Sequence, residues 1–229
     1  MQLKILKAKQ EKLLTLLVDC GKDRYNIKPL KQLSPIGWHI LHCLYIENFW
    51  IKKYLRENNY QLEILDKKFD ANFTELKDRG SSLPEFKNII KLAKTRFKEN
   101  RRMLKNIFFK NITYKNFSFS YIKDFLVHHH SQHIETIHMI LNILNLKLNN
   151  SFKECAKIIQ PQEYNFKYFH FQTNDYYIGS DIKEFSYDNE KPKNKVTINE
   201  FKISKNLINI GEWKAFMDAG GYKKKKLLE

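Results

Sequence analysis

The chain has 229 residues, of which 42% are hydrophobic and 14% aromatic, enough for a sizeable core and too apolar for a disordered chain. Its formal net charge is +16, and its three cysteines, Cys20, Cys43 and Cys155, are odd in number and widely spaced, which excludes a disulfide framework or a CxxC metal motif. The opening MQLKILKAKQEKLLTLL is broken by charges where a signal peptide would be apolar, and no stretch approaches the roughly 18 to 20 apolar residues of a membrane span; a soluble, cytoplasmic protein with no membrane partner is expected.

Residues 1–150 carry helical periodicity and only a few glycines. The first helix is expected over about 2–19, with Leu3, Leu6, Leu13, Leu14, Leu16 and Leu17 as its apolar stripe. The second opens at SPIGWHILHCLYIENFWIKKYL, where Ser34 suits the N-cap and Pro35 the first helical position. The third begins near SLPEFKNII, with Ser82 and Glu85 at capping-box spacing, and the fourth runs from about Ser118 to Leu146. The fold class that follows is mainly α: an antiparallel four-helix bundle over 1–150, whose interior is a common place for metal sites. After a linker at 151–165, residues 166–229 read as an incomplete α+β segment. NFKYFHFQ, DYYIGS and NKVTINEFKIS suggest strands, and NIGEWKAFMDAGGY one short helix ending at Gly220. In YDNE, Asp188 and Asn189 are expected to cap a turn.

The charge is uneven: residues 1–150 hold 27 Lys+Arg and 14 Asp+Glu, giving +13, and the remainder 14 and 11, giving +3. Most of the bases are lysines scattered among Asn, Ile and Phe rather than arginines on one stripe. That pattern suggests a solvated basic surface and no nucleic-acid partner. Arg96, Arg101 and Arg102 on the third helix either hold a substrate carboxylate or lie on a solvated face.

The run HHHSQHIETIH, residues 128–138, holds five of the eight histidines. His129 and His133, four apart on a helix, project from one face and can reach one metal ion, and His130 and His133, three apart, can do the same. Glu135 lies about 200° around the helix from His133, which suits a place behind the ligands or facing substrate better than a place on the ion. The third ligand has two candidates in WHILH, His39 and His42. Three neutral imidazoles suit Fe(II), Zn(II), Ni(II) or Cu(II), and a three-histidine face leaves positions open, as a catalytic site requires.

SPIGWHILHCLYIENFW resembles the Ser-Pro-x-x-Trp-x-x-x-His segment of the DinB-like domain in ergothioneine- and ovothiol-type sulfoxide synthases. HHSQHIET resembles that family's His-x-x-x-His-x-Glu-Thr segment. FSYDNEKPKNKVTINEFKISKNLINIGEWKAFMDAGGY resembles the start of the formylglycine-generating-enzyme-like domain that follows there. The resemblance implies a mononuclear non-haem Fe(II) site with His42, His129 and His133 as ligands and Glu135 close behind them. It also implies small-molecule partners: a thiol such as cysteine or γ-glutamylcysteine, a histidine-derived imidazole, and O2. No catalytic residue and no organic cofactor are assigned. In the family the second domain is far longer, and its Pro-Val-Thr-Asn stretch reads LINI here, at Leu207–Ile210. The expectation is therefore the N-terminal part of such an enzyme, lacking much of the imidazole pocket. Two other classes compete: a DinB-like metal-dependent thiol transferase working without O2, and a non-enzymatic basic binding module.

Overall fold

A computed structural model describes residues 3–55, 67–110, 118–149, 167–181 and 186–224. The chain divides into two compact units, residues 1–150 and 151–229. The expected linker at 151–165 and Cys155 lie outside the described residues. The first unit is helical: α1 (Lys4–Cys20), α2 (Ile36–Leu55), α3 (Phe86–Phe109) and α4 (Phe119–Asn149). Each helix buries a stripe at i, i+3, i+4, i+7 spacing, the pattern of a helix with one face in a core. On α1 the stripe is Leu6, Gln10, Leu13, Leu17 and Cys20; on α3 it is Ile89, Ala93, Phe97, Asn100, Leu104 and Ile107.

The core falls into two clusters. One joins Leu13, Leu17, Ile36, Ile40, Leu44, Ile89, Phe97, Ile137 and Ile140. The other joins Leu6, Ile51, Tyr54, Leu104, Ile107, Ile122 and Leu126. The early residues of α2 and α3 thus share one cluster and their late residues the other, so these two helices run parallel. By the same residues α1 and α4 run against them. α1 packs on α3 and α4, and α2 on α3 and α4. The neighbours α1/α3 and α2/α4 are antiparallel, whereas α2/α3 and α1/α4 are parallel, so the strictly antiparallel order expected from the sequence is not followed. A parallel α2/α3 pair requires the chain to travel the length of the bundle between them, which the long 56–85 connection allows.

Two helix starts differ from expectation. α2 begins at Ile36, one residue late, and its first-turn donor Gly37 N–H is met from outside by the Tyr25 carbonyl at 2.8 Å. α3 begins at Phe86 after Glu85, with no side-chain cap, so the Ser82/Glu85 box does not form. The capping box that does form is Asn209/Glu212. Gly80 sits at φ +107°, and a Cβ there would come within 2.5 Å of Pro35 Cγ, so its lack of a side chain lets residues 67–81 close over the start of α2.

In the second unit β1 (Tyr168–Phe171) pairs antiparallel with β4 (Phe201–Ser204), and β2 (Asn174–Ile178) with β3 (Asn194–Ile198). Helix α5 (Ile210–Asp218) follows, and Gly220 takes the left-handed conformation after it at φ 73°. In the YDNE stretch the turn forms, with Glu190 as the capping side chain: its carboxylate accepts the Tyr187 N–H at 2.7 Å. Among the described residues, no helix is long and apolar enough to cross a membrane.

The apolar stripes are interrupted at one level by Gln10, Glu47, Asn100 and His130, each fully buried. Glu47 accepts hydrogen bonds from Gln10 Nε2 (2.5 Å), Asn100 Nδ2 (2.8 Å) and His130 Nε2 (2.8 Å), so one carboxylate on α2 ties together all four helices. Arg101 in turn donates to Gln10 Oε1, which fixes the Gln10 amide with its N–H toward Glu47. Removing the carboxylate strands three buried donors, so Glu47→Ala is expected to cost about 3–5 kcal/mol in a urea titration. Glu11→Ala, whose carboxylate is exposed beside Lys7, should stay within about 0.5 kcal/mol.

Candidate metal centre

His42 on α2 and His129 and His133 on α4 converge. Their Nε2 atoms lie 3.2 Å apart between His42 and His129 and 3.2 Å apart between His129 and His133. Nitrogens bound to one ion at about 2.1 Å with angles near 100° stand about 3.2 Å from each other, so the spacing fits a shared ion. The outer nitrogens support this orientation. His42 Nδ1 donates to the Phe69 carbonyl at 2.6 Å, which leaves its Nε2 as a lone pair in the neutral ring. His133 Nδ1 stands 2.9 Å from His39 Nδ1. A neutral His129 carries at most one hydrogen on Nε2, which cannot fully satisfy both neighbours, and its Nδ1 is buried without a partner. The three Nε2 atoms therefore face one point, where a cation could be held.

Burial keeps these rings neutral and therefore ligand-ready. It pushes His39 down to about 3, chiefly by desolvation, with His42 and Arg79 adding to the effect. His42 is lowered by burial, and His129 and His133 well below the usual imidazole range by burial and by their neighbouring histidines. The walls are aromatic: Trp38 stacks on His42 with centroids 4.8 Å apart, and Phe125 on His129 at 5.8 Å. Arg79 lies over the Trp38 ring, 4.4 Å from its centroid, and donates to the Thr74 and Ala71 carbonyls. Trp38 Nε1 donates to the Lys68 carbonyl, and Tyr45 donates to Asp70, so residues 68–79 are fastened over the histidines by side chains of α2.

A second grouping brings Cys43 near His129 and His130. It is the poorer donor set. Burial, reinforced by Glu47, holds the Cys43 thiol well above its ordinary pKa, and His130 Nε2 is committed to Glu47.

The structure places the sequence candidates as follows. His42, His129 and His133 come together, and His39, the other candidate in WHILH, stands behind His133 as its hydrogen-bond partner. His130, the alternative partner for His133, is wholly buried on Glu47, because it lies on the α4 core stripe of Leu126, Ile137, Ile140 and Leu144. That register, 126, 130, 133, 137, was readable in the sequence. His128 and His138 are exposed, and so is Glu135. Among the described residues, the hydrogen bonds that orient the histidines come from His39 and the Phe69 carbonyl. Arg96 pairs with Glu99 on α3 itself and Arg101 with Gln10 on α1, while Arg102 is exposed.

Compared with known families, residues 5–137, more than half of the chain, match the DinB superfamily. No curated protein matches the chain significantly.

A histidine held neutral in the fold must take up a proton on unfolding once the pH falls below about 6.5. The stability it contributes is therefore whole above that pH and is lost toward the folded pKa, about 3 for His39. The metal-free protein is expected to lose stability on acidification through this window, by about 1.4 kcal/mol per pH unit per buried histidine. Urea titrations at pH 7, 5 and 4 should show a shallower dependence in His39→Gln; an identical slope would contradict a neutral buried His39.

Proposed function

We propose, for a chain that belongs to the DinB superfamily, that His42, His129 and His133 hold one Fe(II) ion and that the site joins a thiol to a histidine-derived imidazole. The observation that carries the metal assignment is the convergence of one buried and two half-buried imidazoles, all held neutral, on one point. When bound, the ion acidifies a thiol at an open position and, as Fe(II), supplies the redox chemistry that O2 requires.

The overall reaction balances as RSH + imidazole C–H + O2 → RS(=O)–imidazole + H2O. The S–H and C–H bonds break, the C–S and S=O bonds form, and the substrates together supply the four electrons that reduce O2. In this reading the chain's residues do three things. The Phe69 carbonyl and His39 hold the His42 and His133 rings in place. Trp38 and Phe125 shield the rings from water. The 68–79 segment, fastened to α2, limits access from one side. The choice of Fe(II) and O2 rests on the resemblance of residues 185–222 to the segment that follows the DinB-like domain in sulfoxide synthases.

The family match ends at residue 137, which favours a second reading: thiol transfer on Zn(II) or a similar ion, without O2. One experiment separates the two. The full chain, loaded anaerobically, should bind one Fe(II), and His42→Ala or His133→Ala should abolish binding. O2 uptake that requires both a thiol (cysteine or γ-glutamylcysteine) and histidine supports the first reading. Zn(II)-dependent transfer of the thiol to an electrophile, indifferent to O2, supports the second. Full metal binding in both variants would remove the basis of both.

A further inference from the structure

A groove of about 1200 Å³ runs along α3 beside the start of α1. On α3 it is edged by Lys91, Lys94, Lys98, Arg101 and Lys105, at spacings of three and four that keep one face for about 21 Å. Four of these residues follow core residues, Ala93, Phe97, Asn100 and Leu104, by one position, about 100° around the helix. The stripe therefore stands at the rim of the core face and not opposite it. Lys4 and Lys7 edge the groove from α1, and Arg102 adds an eighth cation. The sole carboxylate lining it, Glu99, pairs with Arg96 at 3.2 Å. At one end lie Phe108, Phe109 and Phe119, with Phe109 70% exposed and Lys105 5.8 Å from its ring centroid. Eight of the 41 basic residues thus line one groove, a clustering that the scattered sequence pattern does not display and that reopens the question of a nucleic-acid partner.

We propose that this groove binds single-stranded nucleic acid, the cations following its phosphates and the phenylalanines stacking on its bases. Eight cations line the groove; even with Lys7 beside Glu11 and Arg101 bonded to Gln10, six remain against one paired carboxylate, which calls for a polyanion. The concave form, edged along about 21 Å of α3, fits a chain better than a flat membrane surface. Exposed aromatic rings at the end of a cationic track suit bases, whose flat faces stack without sequence preference. The track spans on the order of four nucleotides.

Fluorescence anisotropy of the full chain with a labelled dT12 oligonucleotide tests the proposal. Lys94→Glu/Lys98→Glu should weaken binding at least tenfold and lower the salt slope by about 1.4, two phosphate contacts at about 0.7 each. Lys22→Glu/Lys31→Glu, the same charge change on exposed lysines outside the groove, should change affinity less than twofold. Phe109→Ala should weaken binding roughly tenfold with the salt slope unchanged, and His42→Ala should leave binding intact, which keeps this outcome separate from that of the metal centre. Circular dichroism confirms that each variant is folded. Equal weakening by the two lysine pairs, equal competition by the matching duplex, or tighter binding to poly-glutamate or phosphatidylserine vesicles would each overturn it.

Discussion

A single buried carboxylate sets the register of the helical unit. Glu47 is fully enclosed, and leaving such a group unpaired in a core would cost several kcal/mol. Its three partners come one from each of the other long helices, so the cost is offset only when Gln10, Asn100 and His130 all reach it together. A slide of α1 or α3 by one turn, about 5.4 Å, would bring Leu6, Leu13, Phe97 or Leu104 opposite the carboxylate. Apolar stripes alone tolerate such slides, because Leu packs on Ile in several registers. A polar layer with directional bonds does not, and fixing register is the best-attested use of buried polar groups.

The same layer positions the metal centre. His42 precedes Glu47 by five residues on α2, and His129 and His133 flank His130 on α4. Once the Glu47–His130 bond at 2.8 Å aligns α2 with α4, the three Nε2 atoms are brought within ligand distance of one another. Two of the three outer nitrogens then meet local structure: the Phe69 carbonyl for His42, and His39 for His133. The site is thus built from two antiparallel helices and one closing segment. α1 and α3 contribute to it indirectly, by completing the shell around Glu47.

The parts of this arrangement that a sequence displays are those governed by local periodicity. The four long helices, the strands from Tyr168 to Ser204 and the short helix at Ile210 follow from spacing and turn residues, whereas spacing offers both His129/His133 and His130/His133 and only the resemblance singles out His129. What escaped depends on partners distant in the chain. Ser34 is an acceptable cap, but Tyr25, twelve residues before Gly37, meets the first-turn donor instead. The parallel course of α2 and α3 depends on a long connection whose direction no helix face records. Gln10, Glu47, Asn100 and His130 look like single polar interruptions of four separate stripes, and only their common level reveals one network. His39 and His42 could not be told apart by spacing, because both face inward and differ in which layer of the site they occupy.

The distribution of charge joins these features. A net charge of +16 opposes the binding of a cation, yet the donor set is three histidines without a carboxylate among the ligands. Two features reconcile this. The candidate ligands come from α2 and α4, while the densest basic stripe runs along α3 beside α1, and ionic screening over about 8 to 10 Å weakens repulsion between exposed lysines and the candidate site. Close to the site, burial keeps the imidazoles neutral, and Asp70, itself buried and acting on His42, supplies a local negative charge against Arg79. A cation at the candidate site would therefore experience its immediate surroundings more than the sign of the whole molecule. One small helical unit brings three imidazoles together between two of its helices and presents a cationic surface on its flank.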